Sequence, residues 1–193
     1  MTLVLASGST SRARLLAAAG VGFIQDPAEI DEAALMTPSE PAAVMAGTLA
    51  AEKARSVSRR HPGKLVLGGD SVLEFEGELI SKCADRDAAM TLLTRLSGKS
   101  HAIVSAAALA RDGAIVWHHT GEGHLAMRDL SPNFLNNYLD MECPAILASV
   151  GCYRLEGRGA QLFASMTGDY FSILGLPLLS VLAALRQEGA LKS

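Results

Sequence analysis

Apolar residues in this chain fall into two patterns, short runs bounded by glycine or proline and longer stretches in which they recur at helical spacing. Leu3-Val4-Leu5-Ala6 is a short run of the first kind and predicts a buried strand. Small residues follow from Ser7 to Ser11, and then Leu15, Leu16 and Ala19 predict a helix, with Ser9 or Thr10 as its N-cap. Gly20-Val21-Gly22-Phe23 reads as a turn into a second strand that runs out at Asp26-Pro27. A long helix is expected from Ser39 or Glu40 to Arg60, with Pro41 near its first turn, Val44, Ala51 and Val57 as apolar positions, and Lys53 on another face. His61-Pro62-Gly63 ends it, and the chain enters a buried strand over Leu65–Leu73 and a hairpin over Glu74–Leu79. Asp85 caps a further helix through Leu92, Leu93 and Leu96. Strands are predicted at Ser100–Leu109, Ala114–His119 and Gly121–Met127, the first two joined at Arg111-Asp112-Gly113, because Asp-Gly favours a tight hairpin. Ser131 and Pro132 open a helix carrying Phe134, Leu135 and Tyr138. Three glycine-rich turns follow between Gly151 and Gly175, and the last helix places Leu178, Val181, Leu182 and Leu185 in the core.

Asp70 breaks the apolar pattern of its strand. A carboxylate among Val66, Leu67, Val72 and Leu73 must meet a cation, a metal or a row of donors, unless it ends the strand in a turn. Gly68 and Gly69 before it allow a close approach of backbone or a sharp bend. Lys82 could return a cation to Asp70 after the hairpin. Lys53, taken alone, is expected at the surface, as lysines usually are. Asp31-Glu32 reads as a solvated acidic pair. The Ser7–Arg12 turn, between a strand and a helix start, is an arrangement that binds anions through free amides, with Arg12 as a bidentate cation. It lacks both the Walker spacing and the three-glycine dinucleotide fingerprint, so a well-capped first helix is the other reading. His118, His119 and His124 have no metal-ligand spacing and are expected to face solvent.

With 193 residues, the chain is long enough for one domain with a proper core. A net charge of −3 with 5% aromatic residues argues against a basic groove or stacking platform for nucleic acid. Cys83, Cys143 and Cys152 form no close ligand pair and leave an odd thiol in any disulfide scheme, which suits a reducing cytoplasm. No run is long enough to span a bilayer, and the first residues lack a secretory pattern, so no membrane association or export is expected.

Ser7-Gly8-Ser9 with Arg12, Leu15 and Leu16, then Asp31-Glu32, Glu52-Lys53-Ala54, Gly69-Asp70-Ser71-Val72, Lys82, Glu156-Gly157, Gly168-Asp169-Tyr170-Phe171 and Gly175-Leu176-Pro177-Leu178 together resemble the Maf family of nucleoside triphosphate pyrophosphatases, in order and over nearly the whole chain. The resemblance implies a mixed α/β fold related to the inosine-triphosphate pyrophosphatases, an elongated sheet flanked by helices, with two lobes around a central cleft in a single domain over residues 1–193. It implies hydrolysis of a nucleoside triphosphate to the monophosphate and pyrophosphate with a divalent cation, Mg²⁺ or Mn²⁺. The substrate is the expected partner, and a homodimer is allowed. On this reading Asp70 is the general base or metal-held activator of water, Glu32 the second metal carboxylate, and Arg12, Lys53 and Lys82 a positive ring along the triphosphate, with Ser7 and Ser9 offering amides. Ser11, Ser71 and Glu156 are the candidate specificity positions. Cys83 stands where many members have proline. Ala148-Ser149-Val150-Gly151 lacks a lysine of the pyrimidine-preferring members, and with Glu156-Gly157 leans toward the 7-methyl-GTP branch, although Tyr153 is closer to the pyrimidine branch. The family's association with septum formation keeps a non-catalytic nucleotide-binding regulator as the alternative. Glu156 has its own alternative, an ion pair with Arg154 or Arg158.

Overall fold

The computed structural model describes residues 2–37 and 39–192. Among the described residues seven strands, β1 (Leu3–Leu5), β2 (Phe23–Gln25), β3 (Val66–Phe75), β4 (Glu78–Ile80), β5 (Ser100–Arg111), β6 (Ala114–Met127) and β7 (Phe163–Gly168), form a mixed sheet in the order β2-β1-β3-β5-β6-β7, with β4 paired to β3. The chain divides into two compact units, one made of residues up to Ser71, Val104–Glu122 and Asp169 onward, the other of Val72–Ile103 and Gly123–Gly168.

In the first unit, β1 (Leu3–Leu5) lies between β2 (Phe23–Gln25) and β3 (Val66–Phe75) and is parallel to both. Alternation along β1 sends Leu3 and Leu5 to one face and Val4 and Ala6 to the other. Leu3 and Leu5 join Leu16 of α1 (Thr10–Ala18) and Val181 and Leu185 of α6 (Leu178–Gln187) in one cluster, while Val4 and Ala6 meet Val57 of α3 (Ala42–Ser58) in another. Both faces are covered, which is why the strand reads as an unbroken apolar run. The chain therefore leaves β1 toward β2 on one side and returns to β3 on the other, a change of direction centred on the carboxyl end of β1. The helix expected over residues 39–60 is present as α3, and Val57 is buried as expected, but the rest of its core face differs. Met45, Ala46, Leu49, Ala50, Lys53 and Ala54 are buried, whereas Val44 is 49% exposed. The short helix α2 (Glu32–Leu35) also replaces the solvated loop expected at Asp31-Glu32.

In the second unit, β4 (Glu78–Ile80) folds back on β3 with Leu73 opposite Ile80 and Phe75 opposite Glu78. Glu76 and Gly77 both take positive φ, as a tight hairpin of two residues requires. Asp85 caps α4 (Arg86–Leu96) by accepting the Ala88 N–H at 2.8 Å, and Ser131 caps α5 (Pro132–Glu142) by accepting that of Phe134 at 3.2 Å. β5 (Ser100–Arg111) and β6 (Ala114–Met127) each have residues in both units, and the hairpin expected at Asp112-Gly113, which joins them, lies in the first. β6 is continuous where the sequence suggested two strands, because Thr120 and Gly121 stay extended. Its far end pairs antiparallel with β7 (Phe163–Gly168), an element the sequence reading did not foresee.

Candidate active site

β3 places chemistry on both of its faces. Val66, Gly68 and Asp70 turn toward α3, and a Cβ at Gly68 would sit 2.2 Å from the Ala50 carbonyl oxygen and 2.6 Å from the Ala54 nitrogen, so only glycine lets strand and helix lie this close. That closeness brings Lys53 Nζ to 2.6 Å from Asp70 Oδ1. The same ammonium lies 2.7 Å from Glu32 Oε1. Glu32 opens α2 because Asp31 caps that helix, accepting the Ala34 N–H at 3.1 Å. Lys53 and Asp70 are almost fully buried, while the Glu32 side chain is half exposed.

Gly69 and Ser71 face the other way, toward α1. A Cβ at Gly69 would meet Arg12 Cδ and Nε at 3.1 Å, so the guanidinium lies directly against the strand. Arg12 donates from Nε to the Gly175 carbonyl at 2.8 Å, from Nη1 to Ser7 Oγ at 3.0 Å and from Nη2 to Ser71 Oγ at 2.9 Å. Burial pulls its pKa below the usual value, and the negative charges of Asp70 and Glu32 oppose that fall. Ser9 caps α1 by accepting the Arg12 N–H at 3.4 Å, and Ser7 Oγ accepts the Ser9 N–H at 3.3 Å. Thr10 and Ser11 then hold the first amides of α1, which have no partner within their own helix. β1 pairs with β3 as far as Leu67 and the chain turns away at Ser7 while β3 runs on, so the site forms just past the carboxyl end of the parallel β1–β3 pairing, the side on which open α/β sheets bind ligands.

Several expectations are revised by these positions. Asp70 does not end its strand, because β3 runs through it to Phe75, so the turn reading fails and the cation reading holds. Lys53 is not a surface lysine, since two carboxylates and the Gly68 contact draw it inward. Ser7, Ser9, Arg12, Glu32, Lys53, Asp70 and Ser71 all belong to the first unit, and Ser11 is half-buried on α1 there. Lys82 and Glu156 belong to the second unit and are exposed. Arg154 and Arg158 both turn to Glu142, at 3.0 and 3.6 Å, so neither forms the ion pair with Glu156 that was the alternative. Sequence reasoning missed Ser105, a buried serine in the apolar run of β5 that bonds to Ser71 Oγ at 2.7 Å. A lone hydroxyl among Val104, Ala106, Ala107 and Ala108 was the available sign.

No group of three or more His, Cys, Asp or Glu side chains able to hold a metal occurs among the described residues. Two carboxylates converging on one ammonium nevertheless fit a hard divalent cation, which commonly takes one or two carboxylates and completes its shell with water and phosphate oxygens. His118, His119 and His124 are exposed, as expected.

The second unit holds a separate buried polar cluster. His101 Nε2 lies 2.6 Å from Tyr153 Oη, and Phe163 packs edge-on against the Tyr153 ring. His101 Nδ1 is buried without a partner, and burial lowers the His101 pKa to about 4. The fold thus favours neutral imidazole: this contribution is complete above pH 6.5 and is lost as the pH falls toward 4, amounting to about 3 kcal/mol. Imidazole resonances followed by NMR should include one titrating near pH 4. Five histidines all titrating near 6.5 would contradict the burial. Cys152 is also buried, and its thiol is pushed up to about 12, chiefly by burial and then by Cys83, which leaves it a poor nucleophile.

The fold and the site together define an α/β protein with two buried cations and two carboxylates gathered just past the carboxyl end of the parallel β1–β3 pairing, a chemistry suited to an anionic ligand and a divalent cation. The chain belongs to the Maf family: the family model described as "Maf-like protein" matches residues 2–188. A nucleoside triphosphate pyrophosphatase of Paramagnetospirillum magneticum is 47% identical, covering 97% of this chain and 99% of that protein. A 7-methyl-GTP pyrophosphatase of Mesorhizobium japonicum is 45% identical, covering 98% and 97%. Among solved structures, a nucleoside-triphosphatase (dITP/XTP pyrophosphatase) of Mycobacterium abscessus superposes with a TM-score of 0.42 at 23% identity, covering 67% of this chain and 76% of its own. No helix among the described residues is long and apolar enough to cross a membrane.

Proposed function

We propose that this protein hydrolyses a nucleoside triphosphate between the α and β phosphates, releasing the monophosphate and pyrophosphate. The observation that carries the reading is the buried Asp70–Lys53 pair, with half-exposed Glu32 on the same ammonium, beside the Arg12 guanidinium, in a chain that family relatives match almost end to end. Cleavage at the α phosphorus needs an aimed water, a base to take its proton, and positive charge along the phosphates, and positioning and electrostatics supply most of the acceleration. Asp70 takes the water's proton, with its Oδ1 fixed by Lys53. Arg12, braced by Ser7 and Ser71, meets phosphate oxygens, and the first amides of α1 offer further donors. Asp70 and Glu32 would hold the divalent cation, which when bound neutralises charge on the phosphoryl oxygens. Lys82 adds charge on the triphosphate, and the whole chain acts as one catalytic domain. Pyrophosphate release from a panel of nucleotides with Mg²⁺ or Mn²⁺ tests the reading; tight nucleotide binding with no pyrophosphate would favour the regulator instead.

The base is read by Glu156. Its carboxylate can accept two parallel hydrogen bonds from the N1–H and exocyclic amine of guanine, an edge that thymine and uracil lack. Glu142 already engages the flanking arginines, which supports a Glu156 available to the base. A 7-methylated guanine is cationic and adds an electrostatic preference. Ser11 and Ser71 belong to the same specificity set. Glu156→Gln should therefore reduce the ratio of kcat/KM for guanine-type over thymidine triphosphates by roughly tenfold or more, since a desolvated acceptor pair discriminates by a few kcal/mol. An unchanged ratio would remove Glu156 from recognition.

A further inference from the structure

Among the described residues of the first unit Arg12 is the only buried arginine, and the way it is held has a direction that hydrogen-bond chemistry fixes. Ser105 Oγ lies 2.7 Å from the Ser172 carbonyl oxygen, which can only accept, so the single Ser105 hydroxyl proton points there. Ser105 must then accept from Ser71, whose Oγ is 2.7 Å away. Ser71 has spent its own proton and presents a lone pair to Arg12 Nη2 at 2.9 Å. The result is a one-way chain from guanidinium through two hydroxyls to a carbonyl. Its far end is rigid, because Asp169 accepts the Phe171 and Ser172 N–H groups at 3.2 and 3.1 Å and caps the turn that carries Ser172. Gly175, on the same turn, accepts from Arg12 Nε at 2.8 Å.

We propose that Ser105 is a positioning residue for Arg12, setting the guanidinium on the triphosphate by fixing the orientation of the Ser71 hydroxyl. Without the Ser105 hydroxyl, the Ser71 proton has one other acceptor within reach, the Gly175 carbonyl at 3.3 Å. That oxygen, to which Arg12 Nε already donates, has a second lone pair, so the Ser71 hydroxyl swings toward it and its own lone pair no longer points along the line to Arg12 Nη2, which costs the guanidinium its single pose. A bidentate cation that wanders by a fraction of an ångström loses rate as well as affinity.

This inference rests on the reading that Arg12 engages the phosphates, and a double-mutant cycle on pyrophosphate release separates the two. Ser105→Ala should lower kcat/KM by roughly three- to tenfold in the parent, and by less than about twofold in an Arg12→Lys background, where no fork is left to orient. Equal losses in both backgrounds would make Ser105 merely structural, and no loss in the parent would overturn the proposal outright. Should Ser105→Ala fold poorly, Ser71→Ala, at a half-buried position, carries the same cycle with the same expectation. Full kcat/KM in Arg12→Lys alone would instead remove Arg12 from the triphosphate and, with it, this proposal.

Discussion

Asp70→Asn is expected to lower kcat by roughly a thousandfold, within the range a positioned general base supplies. The change is isosteric, and the amide oxygen can still accept from Lys53, which also keeps Glu32 at 2.7 Å, so the fold should persist. An amide cannot take the water's proton, and it is a poorer partner for a hard cation than a carboxylate. The variant should therefore melt close to the parent, bind triphosphate, and release almost no pyrophosphate. Near-normal turnover in a folded Asp70→Asn protein would remove Asp70 from the mechanism.

Lys53→Met should destabilise the protein as well as inactivate it. Removing one partner of a buried pair leaves an uncompensated charge, typically at a cost of about 3–5 kcal/mol, and Asp70 has only 11% of its side chain exposed. Glu32, 49% exposed, can turn to water and contributes less to the loss. Adding Asp70→Asn to Lys53→Met removes the stranded carboxylate, so the double variant should recover most of the stability while remaining inactive. Urea unfolding measures all three variants, and losses that simply add would show that Lys53 and Asp70 are not coupled.

The sequence carried much of the fold because local signals and burial agree there. The apolar runs at Leu3–Ala6 and Leu65–Leu73 are strands covered on both faces, and Asp85, Ser131 and Ser9 each cap the helix expected after them. It failed where a side chain's fate depends on a distant partner. Lys53 sits on a helix whose buried stripe can be drawn two ways, and only the closeness allowed by Gly68 makes the stripe through Lys53 the inner one. Glu142 is likewise silent in sequence, because its arginines arrive from 12 and 16 residues downstream through a loop. β7 was missed because five of its six residues are exposed and the strand exists through pairing with β6 rather than through an apolar pattern. Asp70 was legible as a site because a carboxylate in an apolar strand has few ways to be satisfied.

In the proposed reaction, water attacks the α phosphorus at Asp70. Hydrolysis of 7-methyl-GTP in ¹⁸O-labelled water, with the products weighed by mass spectrometry, tests it most directly. One labelled oxygen in the nucleoside monophosphate and none in the pyrophosphate is the expected result, with both products reduced to a trace in Asp70→Asn. Label in the pyrophosphate, or in released orthophosphate, would place the attack on another phosphorus and contradict the account.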